Sequence, residues 1–284
     1  MGHESLREQR PGLGDLMDGV RVVAVDDASI LVLEKVTQEI KDTLNTRIVE
    51  YCYGRAKAAE DSDYYSLETT LDEFFKLYDT KGEQTQLGIA GELVVHLLVP
   101  HGHEKLVSAA LYLNKEERAI KKGFDLTFYD DHDGGLWYGE VKAGKVSDSQ
   151  TADSKVRDLI GVAERSLHEM FTSDVRKKRW DAALLDADAT LHSAQASSVK
   201  KLLRADFKTV HGGGTAKVRA LLCGVVMRDL MLDEIDSETG KALIESVKSR
   251  GRFADLRLLL IQQSDLEDLI KELRTRSERP SDGR

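Results

Sequence analysis

Residues 123–142 constrain the fold more than any other stretch. Gly123-Phe124-Asp125-Leu126-Thr127-Phe128-Tyr129 reads as a strand, Asp130-Asp131-His132-Asp133-Gly134-Gly135 as a turn cluster, and Leu136-Trp137-Tyr138-Gly139-Glu140-Val141-Lys142 as a second strand. Asp-Gly and Gly-Gly are hairpin signals, so the two strands are expected to pair antiparallel. Side chains alternate along a strand, which puts Glu140 and Lys142 on one face. The tight turn brings Asp125 beside them. A chain with this hairpin builds a sheet and places two carboxylates and an ammonium on it.

The flanking sequence suggests what surrounds the hairpin. Val20 to Val25 suits a short strand. From Ile30, apolar residues at Leu33, Val36, Ile40, Leu44 and Ile48 fall three or four apart, which predicts a helix. Leu67 to Tyr78 predicts a second helix and Gly82 to Leu98 a third, ended by Pro100. After the hairpin, Val156, Leu159, Ile160, Ala163, Leu167, Met170 and Phe171 mark one face of a long amphipathic helix. Residues 182–210 read as one or two helices. Val218–Met227 and Leu256–Ile261 read as buried strands, and Leu266 to Leu273 as a closing helix. The expected class is α/β: a mainly helical region over residues 1–81, a core over 82–275 with a small mixed sheet flanked by helices, and a flexible tail over 276–284.

Composition narrows the function. The chain has 284 residues, enough for a substantial core, and no apolar run long enough to span a bilayer. Its N-terminus lacks the apolar stretch of a secretory signal, and its two cysteines lie far apart, so a reducing cytoplasmic home is expected. A net charge of −9 means that any contact with nucleic acid must be local. Two basic clusters are candidates for a DNA-backbone surface: Arg176, Lys177, Lys178 and Arg179, then Lys200, Lys201, Arg204 and Lys208 at helical spacing. A solvated helix face explains them equally well. No nucleotide-binding motif occurs, and Gly212-Gly213-Gly214 reads as a flexible loop. Asp130, Asp131, His132 and Asp133 read as a solvated hairpin loop. His96, His101 and His103 read as helix-end residues that complement the dipole, with no further ligands to make a zinc site.

Upstream, Glu92 sits in Gly88-Ile89-Ala90-Gly91-Glu92-Leu93-Val94, where small residues let a helix approach another backbone. A helical Glu, a Gly-Phe-Asp strand and a Glu-Val-Lys strand together resemble the restriction-endonuclease-like, PD-(D/E)xK nuclease fold, with Gly-Phe-Asp in place of Pro-Asp. The resemblance covers residues 85–170 strongly and the later elements loosely. It implies a metal-dependent phosphodiesterase using Mg²⁺, with Mn²⁺ as substitute. Asp125 and Glu140 would supply hard oxygen ligands, and the Val141 carbonyl a third. Lys142 would orient the attacking water and neutralise charge growing on the phosphate. Glu92 would bind a second ion directly or hold one of its waters. A Glu-x-Lys on a strand is by itself usually a solvated surface pair; the neighbouring Asp125 and Glu92 distinguish this one.

Gly91-Glu92, Lys122-Gly123-Phe124-Asp125 and Trp137-Tyr138-Gly139-Glu140-Val141-Lys142 before a long helix also resemble the HamA family of the Hachiman anti-phage system. That resemblance implies a DNA nuclease effector restrained by a superfamily 2 helicase, HamB, which senses aberrant DNA, with cleavage aborting infection. A stand-alone repair or restriction nuclease, and a non-catalytic adaptor of a helicase, remain open at the level of sequence.

Overall fold

The computed structural model describes residues 17–102, 105–112, 123–172, 177–264 and 266–278. Among the described residues, seven strands form one sheet: β1 (Val20–Val25), β2 (Ala28–Leu33), β3 (Leu106–Ser108), β4 (Leu126–Asp130), β5 (Leu136–Lys145), β6 (Arg219–Met227) and β7 (Asp255–Gln263), ordered β1-β2-β7-β6-β5-β4-β3. The central strands β2, β7, β6 and β5 are parallel, and the antiparallel pairs lie at both edges. A sheet of this size exceeds the small one expected. Two of its strands come from the first 81 residues, and β2 joins β7 of the later region.

Around the sheet lie α1 (Gln38–Tyr53), α2 (Arg55–Glu60), α3 (Leu67–Tyr78), α4 (Glu83–Gly102), α5 (Ala152–Thr172), α6 (Lys177–Thr190), α7 (Ser193–His211), α8 (Ser237–Ser249) and α9 (Glu267–Ser277). Strand alternation divides the core in two. Trp137, Val141, Leu221, Cys223 and Val225 join the apolar cluster of α1, α3, α4 and α9. Leu136, Tyr138, Ala220, Leu222 and Val226 join that of α5, α6, α7 and α8. Buried on both faces, β6 needs apolar residues at nearly every position, which accounts for its unbroken hydrophobic run.

Several expectations are corrected. Ile30 and Leu33 belong to β2 and not to the first helix. Their spacing imitates a helix, but the run Ala-Ser-Ile-Leu-Val-Leu is buried as a strand against β7. The helix starts later, where the Thr37 hydroxyl accepts from the Ile40 N–H at 3.4 Å. α4 passes through Pro100 and ends at Gly102; the proline removes an i→i−4 hydrogen bond just before the helix stops. Residues 1–16 of the expected helical region and 279–284 of the expected tail lie outside the described residues.

The hairpin forms as expected, with Leu126 opposite Gly139 and Tyr129 opposite Leu136. Its turn uses Gly134 at φ 73°, whose N–H donates to the Asp130 carbonyl at 2.8 Å. Asp130 is buried and not solvated, because the Trp137 indole N–H donates to its Oδ2 at 3.3 Å and the His132 N–H to its Oδ1 at 3.1 Å.

Candidate active site

The ladder between β4 and β5 ends at Leu126 and Gly139. β5 runs on to Lys145 with β6 as its partner. Asp125 stands at this point, one residue before β4 begins, and its Oδ2 accepts from the Val141 N–H at 3.0 Å. In a strand, a residue's N–H and C=O point to the same side. The Val141 carbonyl therefore faces the notch where β4 has stopped.

Glu140 and Lys142 point to the α5 side. The Lys142 ammonium donates to Glu140 Oε1 at 2.6 Å, and the Ser166 hydroxyl of α5 donates to the same oxygen at 2.7 Å. Glu140 is only 2% exposed, yet its Oε2 is buried without a hydrogen-bond partner. A bare buried carboxylate oxygen is costly. Burial first, then the negative charge of Asp125, push the Glu140 carboxyl up to about 7, against the opposing pull of Lys142 and Ser166. Burial pulls the Lys142 ammonium down, but Glu140, Asp125 and Glu92 outweigh it and hold it above its ordinary value. Lys142 thus stays a cation through the physiological range.

α4 lies on the opposite face and comes very close to β5. A Cβ added at Gly91 would sit 2.5 Å from the Ala143 Cβ, so a larger residue there would push the helix away. This approach sets Glu92, half-buried, near enough for its charge to act on Lys142 and on the buried Tyr112. The structure thus brings Asp125, Glu140 and Lys142 together directly and adds Glu92 from across the sheet. Among the described residues, no three His, Cys, Asp or Glu side chains gather closely enough to hold a metal by themselves.

A family model settles which proteins this chain is related to: that of HamA matches residues 18–277. The chain belongs to the HamA family. Membership ties it to the Hachiman defence system. No curated protein matches it. No helix among the described residues of this HamA-family chain is long and apolar enough to cross a membrane.

The basic candidates separate into different environments. Arg176 lies outside the described residues. Arg179 is buried, with its guanidinium 6.0 Å from the Phe124 ring centroid, so it packs against the core and not on a binding face. Lys177 pairs with Asp181, and Lys200 with Asp188. Lys178, Lys201, Arg204 and Lys208 are exposed. His96 is not a helix-end residue. It is buried within α4, with its ring 5.4 Å from that of Tyr51 and 5.6 Å from that of Tyr112. The side chain of His101 and all of His103 lie outside the described residues.

Two buried or half-buried polar residues of α5 escaped sequence reasoning, Ser166 at the site and Glu164 in the fold. Ser166 gave no signal, because its role exists only through Glu140. Glu164 did give one: it falls in register with Ile160, Leu167 and Phe171, on the apolar stripe of α5. It is 2% exposed, with Oε1 and Oε2 accepting from Arg250 at 2.7 and 2.6 Å and Oε1 also from Arg252 at 3.2 Å.

Proposed function

We propose that this chain is the metal-dependent nuclease effector of a Hachiman system, cutting DNA at Asp125, Glu140 and Lys142. The observation that carries the reading is the bare Oε2 of Glu140, buried beside Asp125. A buried carboxylate oxygen with no donor is a place for a cation. Asp125, Glu140 and the Val141 carbonyl are hard oxygen donors of the kind Mg²⁺ or Mn²⁺ takes. Mg²⁺ keeps several waters, so two side-chain ligands suffice, and Glu92 supports the site from α4. When bound, the ion supplies Lewis-acid stabilisation of the phosphoryl oxygens and a more acidic water. Asp125 and Glu140 hold the ion. Lys142, kept protonated, neutralises charge developing on the phosphate and orients the attacking water; a lysine held so firmly cationic is not the base.

An active nuclease in a cell full of DNA needs a restraint. In this reading HamB, a superfamily 2 helicase, holds the chain inactive and releases it on aberrant DNA, so that cleavage aborts infection inside the bacterial cytoplasm. The test has two parts. Cleavage of plasmid DNA is expected to require Mg²⁺ or Mn²⁺ and to stop in chelator; full activity in chelator removes the two-carboxylate site. Co-expression with a HamB helicase is expected to give one peak in gel filtration; separate elution, with cleavage indifferent to the helicase, leaves a stand-alone nuclease.

A further inference from the structure

The face of β5 that carries Glu140 and Lys142 continues two residues further, to Gly144. With no side chain there, the face is open, and Lys155 of α5 occupies the space. A Cβ built on Gly144 would lie 2.5 Å from the Lys155 Cε and 3.1 Å from its Nζ. The ammonium is therefore laid across the backbone of β5, one strand repeat beyond Lys142. Lys155 is half-buried, and among the described residues no carboxylate pairs with it. In this it differs from Lys177 and Lys200, whose charges are already met by Asp181 and Asp188.

We propose that Lys155 is a substrate-binding residue of the site, taking a phosphate of the nucleic-acid strand beside the one that is cut. The inference rests on the nuclease reading above and deepens it. Strand residues two apart are separated by roughly 6.6 Å, and one strand of a duplex carries a phosphate every ~3.4 Å along its axis. A strand held over Glu140 and Lys142 therefore carries further phosphates past Gly144. In a chain of net charge −9, with Asp125, Glu140 and Glu92 at the site, a polyanion needs such cations close at hand. Leu159, whose Cδ2 would lie 3.3 Å from the same Cβ, supports the stem of Lys155 against the sheet. Gly144 is the feature that makes the placement possible. It does not need a positive φ, so it is glycine for space and not for backbone freedom.

The test uses the full chain carrying Glu140→Ala, so that bound DNA is not cut, and a fluorescently labelled DNA duplex followed by anisotropy over a range of salt. Adding Lys155→Ala is expected to weaken binding several-fold and to make the dependence of log K on log salt shallower by about 0.9, the signature of one lost phosphate contact. Lys155→Arg is expected to restore both. Gly144→Ala, which leaves the lysine in the chain but displaces it, is expected to match Lys155→Ala, and the two together to be no worse than either. In the otherwise unaltered enzyme, Lys155→Ala should raise KM and leave kcat nearly unchanged. Unchanged affinity and salt slope in Lys155→Ala overturn the proposal, as does a loss confined to kcat. Failure of the underlying nuclease reading looks different: the unaltered chain would cut no DNA with Mg²⁺ or Mn²⁺, or Glu140→Ala protein would itself cut at the normal rate.

Discussion

Two glutamates of this protein are equally buried, each 2% exposed, and their surroundings could hardly differ more. Glu164 faces the end of α8, where Arg250 grips it through two nitrogens and Arg252 adds a third contact. Glu140 lies on the α5 side of the sheet, where Lys142 and Ser166 both meet Oε1 and Oε2 is left bare. α5 touches both, carrying Glu164 itself and sending Ser166 to Glu140. A buried carboxylate with all its needs met fastens one element to another. One with half its needs met is unstable where it stands unless something else arrives. The first belongs to the fold; in the proposed reading the second belongs to the chemistry, and burial alone does not tell them apart.

Alanine at each position gives the sharpest test of that contrast. Glu140→Ala is expected to lower cleavage by about 1,000-fold or more, with an unchanged or raised melting temperature, because it removes an ill-satisfied group. Glu164→Ala is expected to do the reverse. Two partly exposed arginines lose their partner, so the cost is ~2–4 kcal/mol, smaller than for a wholly buried pair, with residual activity in proportion to the folded fraction. Rate measurements and thermal melts on the two variants decide it. If Glu164→Ala kills cleavage in well-folded protein, or Glu140→Ala unfolds the chain, the division between them is wrong.

The pH dependence of stability separates the same two groups. Glu140 has its pKa raised from 4.5 to about 7 in the folded protein. Between those values the folded protein holds a proton that the unfolded chain has released, so stability falls as pH rises through the window, by on the order of 3 kcal/mol at most. Below pH 4.5 the group has no effect, and above 7 the full loss is present. In metal-free protein, Glu140→Ala is therefore expected to flatten the stability profile between pH 4.5 and 7, whereas Glu164→Ala should leave that slope in place. Mn²⁺, which takes the unprotonated carboxylate, should stabilise the protein more at pH 8 than at pH 5.5. A metal effect independent of pH would remove Glu140 as a ligand.

These groups were unequally visible in the sequence. Asp125, Glu140 and Lys142 were legible because a hairpin is local: a turn signal and a period of two place them without knowledge of the rest. The apolar face of α5 and the buried β6 were legible for the same reason. The far side of the sheet was not. β2 pairs with β7 across more than 200 residues of chain, and no local periodicity announces such a partner, so Ile30 and Leu33 blend into the neighbouring helical pattern. The basic cluster around Arg179 misled because charge in sequence does not reveal which way a side chain faces. Arg179 turns inward beside Phe124.

Ser166 offers the subtlest test of the contrast, since it decides how Glu140 is left incomplete. Its hydroxyl and Lys142 both engage Oε1, which fixes the carboxylate rotation and leaves Oε2 bare. Ser166→Ala removes one donor from a buried acceptor that keeps another, so the fold should lose only ~1 kcal/mol. The carboxylate, freer to rotate, should hold the ion less well. The Mg²⁺ concentration for half-maximal cleavage is expected to rise roughly three- to tenfold, in line with outer-shell partners of other metal sites, while the rate at saturating Mg²⁺ changes little. Ser166→Thr keeps the hydroxyl and should behave like the parent. Direct titration with Mn²⁺ reads the same quantity without catalysis. An unchanged metal requirement in Ser166→Ala would mean that Lys142 alone orients Glu140, and that the hydroxyl on α5 only fills a buried acceptor, as the arginines do at Glu164.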